Sequence, residues 1–107
     1  MNTITLKYLE SGMRFFLTSQ NKELKLGEKF VLLIVIRLLE ENEIVSKFDV
    51  CKENKVSKST TYANIKALET KGFIISNKAN QYYSRAFISM LPKGLLFKYN
   101  LRKVFPD

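Results

Sequence analysis

The side chains best suited to chemistry crowd into one stretch, Ser57 to Thr70. Ser57, Lys58, Ser59, Thr60, Tyr62, Ala63 and Lys66 bring hydroxyls, an aromatic ring, a small residue and ammonium groups close together. On a helix advancing about 100° per residue, Thr61, Ile65 and Leu68 share one face, at i, i+4 and i+7. The opposite face then carries Ser59, Ala63, Lys66 and Thr70, flanked by Thr60 and Tyr62, and it holds no acid. Such a face suits the major groove of duplex DNA, where hydroxyls and lysines meet base edges or adjacent phosphates. Ser57 and Lys58, at the start of the helix, suit phosphate. Lys78 and Arg85, farther along, are candidates for phosphate or minor-groove contacts. Tyr82, Tyr83 and Phe87 in the same region also read as ordinary cross-strand packing, which is the better reading for Phe87.

Covalent chemistry has little to work with. The chain has no histidine, which removes Ser-His and Cys-His nucleophile pairs and any imidazole base. Its aspartates are only Asp49 and Asp107, and the glutamates fall in patterns expected of solvated helix faces. Neither a phosphate-cradling glycine loop nor a Walker lysine occurs. One cysteine without histidine makes a zinc site a poor fit. Cys51 has the chemistry of a redox sensor, yet its position between two helices reads better as a buried structural thiol. The expectation is a protein that is not an enzyme and needs no cofactor.

Several local signals position the binding face. Ser57 is a good N-cap, and Gly72 supplies a left-handed stop, with Lys71 in the last turn suiting the helix dipole. Upstream, Ser46 caps a short helix from about Lys47 to Glu53, with Asp49 at N3 and Val45 and Val50 as a hydrophobic staple. A turn through Asn54, Lys55 and Val56 joins the two helices into a helix-turn-helix spanning about 46–71. Phe73 to Ser76 and Gln81 to Ile88 are rich in β-formers around the turn-forming 77–80, so a hairpin is expected at about 73–89.

Taken together, Val56 to Thr60, then Leu68-Glu69-Thr70-Lys71-Gly72-Phe73-Ile74, then Met90-Leu91-Pro92-Lys93-Gly94 resemble the winged helix-turn-helix of MarR-type transcriptional regulators. The likeness spans roughly residues 43–98. It departs at Lys55, where a turn glycine is common, at Asn54, where an apolar residue is usual, and at Leu91, where a capping threonine is expected. The resemblance implies a dimer built on the terminal helices, at about 4–18 and 92–104, with the hairpin as a DNA-contacting wing.

The remaining elements fit one domain over 1–107. Leu6, Leu9, Met13, Phe16 and Leu17 stripe the first helix. A second helix, about Gly27 to Glu41, carries Phe30 to Ile36 and then Leu38-Leu39, apolar nearly all round, and so should be buried on most sides. Its β-branched run also fits a buried strand. Glu43-Ile44-Val45 is expected to be a short strand pairing with the wing. Pro92 opens a last helix, whose Leu95, Leu96, Tyr99, Leu101 and Phe105 give an apolar surface for a dimer partner. The expected fold is mainly α with a small β-hairpin (α+β), ordered helix, helix, short strand, helix, helix, strand, strand, helix.

Charge points the same way. Residues 1–54 hold eight Lys/Arg and eight acids, whereas residues 55–107 hold ten Lys/Arg and two acids, so the whole net charge of +8 lies in the half containing the proposed recognition helix and wing. A basic half of this kind attracts polyanions by counterion release. The absence of a signal pattern, of a long apolar span and of a cysteine pair fits a cytoplasmic setting with no membrane. These features suggest a homodimeric, sequence-specific binder of double-stranded DNA, foremost a transcriptional repressor. Two alternatives stay open: a plasmid or phage partition protein coating centromere repeats, and a winged-helix module for protein interaction. Neither a small-molecule nor a protein effector can be read from the sequence.

Overall fold

The computed structural model describes residues 23–78, 81 and 86–104, with 103 and 104 described by backbone alone. The chain runs α1 (Leu26–Glu41), α2 (Lys47–Glu53), α3 (Lys58–Thr70), β1 (Ile74–Asn77), β2 (Phe87–Met90) and α4 (Pro92–Val104). The helix expected at about 4–18, together with Tyr82, Tyr83, Arg85 and Phe105, lies outside the described residues.

α1 is a helix and not a strand, and it begins at Leu26, one residue before the expected Gly27. Glu28 caps it, with the Lys25 N–H donating to Glu28 Oε1 at 3.0 Å. Val31, Leu32, Leu33, Val35, Ile36 and Leu38 are all buried, as a helix apolar nearly all round requires. Each such side chain stabilises the fold by about 1.5–3 kcal/mol. Three charged residues of α1 also go inside: Glu28, Lys29 and Arg37. Arg37 reaches Glu53 Oε2 at 3.0 Å and Glu41 Oε1 at 3.5 Å, tying α1 to the end of α2. Burial pushes the Lys29 ammonium below its ordinary pKa. Glu28 corrects the expectation that the glutamates are solvated. It is 5% exposed and holds Lys71 Nζ at 2.7 Å.

Ser46 and Asp49 close a reciprocal box at the start of α2. The Asp49 N–H donates to Ser46 Oγ at 3.2 Å, and the Ser46 N–H returns a bond to Asp49 Oδ2 at 2.9 Å. Aspartate therefore serves where glutamate is more usual. Val45 and Val50 are both buried, but Cys51 is not; it sits half-buried, and Val50 is the residue of α2 that enters the core.

β1 and β2 pair antiparallel, Ile74 opposite Met90 and Asn77 opposite Phe87. Ile74 and Ile88 point into the core. Glu43-Ile44-Val45 does not form the expected third strand, and the sheet of the described residues has two strands. One bond links it to the hairpin, from the Ile88 N–H to the Val45 carbonyl at 2.7 Å. At the next residue, Ser46, the chain already caps α2 with Asp49 and turns away into the helix.

α4 starts at Pro92, as expected. Leu91, lacking a capping hydroxyl, instead docks its N–H on the Phe73 carbonyl at 3.0 Å. Gly94, Phe97 and Leu101 face inward, while Leu95, Leu96 and Tyr99 are 51%, 60% and 59% exposed. Leu101 is therefore core and not dimer surface. Phe97, absent from the expected apolar stripe, joins it there.

Candidate nucleic-acid interface

α3 packs on α1, α2 and β1. Its inner face is the expected one, with Thr61, Ile65 and Leu68 fully buried. Ser57 caps it, accepting the Thr60 N–H at 3.2 Å and donating to Thr60 Oγ1 at 2.8 Å. The helix ends in a Schellman arrangement: the Phe73 N–H donates to the Leu68 carbonyl at 2.9 Å and the Gly72 N–H to that of Glu69 at 3.1 Å. Gly72, at φ 85°, takes the left-handed conformation this stop demands.

Thr61 and Asn54 hold the turn. Thr61 Oγ1 donates to the Ser57 carbonyl at 3.0 Å and accepts from Asn54 Nδ2 at 3.1 Å. Asn54 thus replaces the apolar residue usual at its position with a polar strut between the end of α2 and the first turn of α3. Lys71 does not serve the helix dipole alone. Its ammonium bridges Glu28 Oε1 and, at 2.9 Å, the Glu23 carbonyl. Burial raises the pKa of the Glu28 carboxyl, but hydrogen bonds from Lys71 and from the Lys25 amide outweigh burial and hold it below its ordinary value.

The outer face is open. Ser57, Lys58, Ser59, Thr60, Tyr62, Ala63 and Lys66 are all exposed, and Lys78 is exposed just past β1. Arg85 lies outside the described residues. Lys58 rests over the Tyr62 ring, 5.6 Å from its centroid. Among the described residues Lys55, Lys58, Lys66 and Lys78 take part in no ion pair, nor do Lys25, Lys29 and Lys98 elsewhere, whereas Arg37, Lys47, Lys52, Lys71, Lys93 and Arg102 each bind an acid. The one acid of α3, Glu69, is turned away and engaged by Ser76 Oγ and, at 3.6 Å, by Lys47. The result is a cationic, hydroxyl-bearing helix face that presents no carboxylate to an incoming anion. Lys55, in the turn before Ser57, belongs to this surface; in the sequence it stands out only as a departure from glycine.

Among solved structures, the fold is similar to that of a point mutant of MepR from S. aureus, with a TM-score of 0.69 over 98% of this chain and 77% of that one, at 13% sequence identity. MepR is a winged-helix regulator of the MarR family. The fold is a winged helix like that of this neighbour. Within it α2 and α3 form a helix-turn-helix, and β1 and β2 pair antiparallel after it. No protein-family model matches the sequence. No curated relative matches it either. No helix of the described residues is long and apolar enough to cross a membrane, and no cluster of possible metal ligands occurs among them.

Proposed function

We propose that the chain is a cytoplasmic regulator that binds double-stranded DNA sequence-specifically as a homodimer and represses transcription. The acid-free, exposed outer face of α3 carries this reading. Ser59, Thr60, Tyr62, Ala63 and Lys66 face base edges or neighbouring phosphates in the major groove. Ser57 and Lys58 hold phosphate, and Lys78 and Arg85 act from the wing. The exposed Leu95, Leu96 and Tyr99 of α4, with the segment at about 4–18, form the two-fold interface. A dimer of this kind places its recognition helices about 34–36 Å apart, on an inverted repeat.

Titration of labelled genomic DNA flanking the gene, at several salt concentrations and with random competitor, tests the reading. Tight binding at one inverted repeat is the expected result, and Lys66→Ala and Lys78→Ala should each weaken it. The slope of log K against log salt should fall by roughly 0.9 for each phosphate that is no longer neutralised. Unaltered binding by both variants refutes the assignment. Ladders of cooperative complexes over several repeats would replace the repressor reading with partition.

A further inference from the structure

We propose that α3 reads two bases directly, a thymine through the methyl of Ala63 and a guanine one or two base pairs away through the ammonium of Lys66; this rests on the DNA reading above. Ala63 and Lys66 are both exposed. At about 100° per residue they lie with Ser59 and Thr70 within about 60° of one another, along the midline opposite Thr61, Ile65 and Leu68. Thr60 and Tyr62 stand to either side of that line, and Lys58 rests over the Tyr62 ring. A helix laid in the major groove presents its midline to base edges and its flanks to phosphates. Ser59, Ala63, Lys66 and Thr70 are therefore the residues that meet bases.

Their chemistry selects which bases. Asparagine and glutamine pair with adenine, acids with cytosine, arginine and lysine with guanine, and small apolar groups with the 5-methyl of thymine. α3 has no arginine or glutamine. Its one asparagine, Asn64, is half-buried and turned onto α1, with Nδ2 3.2 Å from the position a Cβ on Gly27 would take. Its one acid, Glu69, is held by Ser76 and Lys47. The adenine reader and the cytosine reader are thus both withdrawn from the groove. Serine and threonine bond either base, so Ser59 and Thr70 do not discriminate. What remains is the Ala63 methyl and the Lys66 ammonium. Glu69 stands three residues after Lys66, where it would otherwise draw the ammonium into a helical pair; engaged elsewhere, it leaves Lys66 without an ion-pair partner. Ala63 and Lys66 are about 4.5 Å apart along the axis, between one and two base-pair steps of about 3.4 Å.

The test starts from a duplex selected from a random-sequence pool on the wild-type chain. Each thymine of that duplex is replaced in turn by deoxyuridine, which lacks only the 5-methyl group, and each guanine by 7-deazaguanine, which lacks only the N7 acceptor. Wild type should lose about four-fold in affinity at one deoxyuridine position, the worth of one buried methyl. It should lose about ten-fold at one 7-deazaguanine position, one or two base pairs away. Ala63→Gly should bind the thymine and deoxyuridine duplexes equally yet keep the 7-deazaguanine loss, and Lys66→Ala should do the reverse. Each comparison sets two duplexes against one protein, so any loss of folded protein cancels. A wild type indifferent to every deoxyuridine or to every 7-deazaguanine, or a loss that persists in the matching variant, overturns the base assignment, while retention of the duplex leaves the DNA reading standing. A pool from which no duplex is retained refutes the DNA reading and the base assignment with it.

Discussion

Thr61→Val isolates the strut that sets the helix-turn-helix. Thr61 is completely buried beside Ile65 and Leu68, and valine keeps its shape while deleting its hydroxyl. Two hydrogen bonds disappear, one donated to the Ser57 carbonyl and one accepted from Asn54 Nδ2. The Ser57 carbonyl keeps its helical bond from the Thr61 N–H at 3.0 Å, but the Asn54 amide loses its acceptor. Ordinary hydrogen bonds contribute about 0.5–1.5 kcal/mol each. The added methyl returns about 0.8 kcal/mol of burial. A net loss of up to about 2 kcal/mol follows, about 1 kcal/mol at the middle of these ranges, and at about 4–8 °C per kcal/mol it is read in a thermal melt. Urea unfolding of Thr61→Val, Asn54→Leu and the double variant measures the coupling. Once Asn54 has become apolar, the Thr61 hydroxyl has lost its partner, so the double variant should cost at least about 0.5 kcal/mol less than the sum of the singles. Strict additivity of the two variants refutes the strut.

Two further outcomes bear on the scaffold. Gly94→Ala should destabilise by about 1–3 kcal/mol, although alanine gains about 1 kcal/mol of helix propensity. The new Cβ would press on the Phe73 carbonyl oxygen and lie 2.8 Å from Met90 Cε, and the carbonyl cannot retreat without losing the Leu91 N–H; an unchanged or higher Tm overturns this. Glu28 has a carboxyl pKa lowered by folding from an ordinary value near 4.5, so its stabilisation is present above that pH and lost as pH falls through the lower, folded value. Glu28→Gln should therefore cost about 1–3 kcal/mol at neutral pH and show a flatter acid limb of Tm against pH than wild type, and parallel limbs refute the coupling.

Which parts of this protein were legible in its sequence follows from the range of the forces involved. α3 was legible because cap, period and stop are all local. Ser57, the Thr61-Ile65-Leu68 face and Gly72 each act within a few residues, and all three stand where the pattern put them. The Lys71–Glu28 pair was not, because its partners are 43 residues apart and no periodicity links them. Thr61 sat on the face correctly read as buried, yet its hydroxyl acquires meaning only when the turn brings Asn54 back to it. Glu43-Ile44-Val45 makes one bond to the hairpin and no strand, because the local cap of Ser46 with Asp49 turns the chain into α2 at the next residue. α4 is the instructive case. Leu95, Leu96 and Tyr99 form one apolar face, and Phe97 and Leu101 another, so hydropathy alone leaves the rotation of the helix undecided. The deciding residue is Gly94. It shares the face of Phe97 and Leu101, at i+3 and i+7, and only a residue without a Cβ lets α4 come so close to the Phe73 carbonyl. In a helix apolar on two sides, the side that carries glycine is the one that meets another backbone. That rule turns Leu101 inward and leaves Leu95, Leu96 and Tyr99 facing outward, where a partner subunit would cover them.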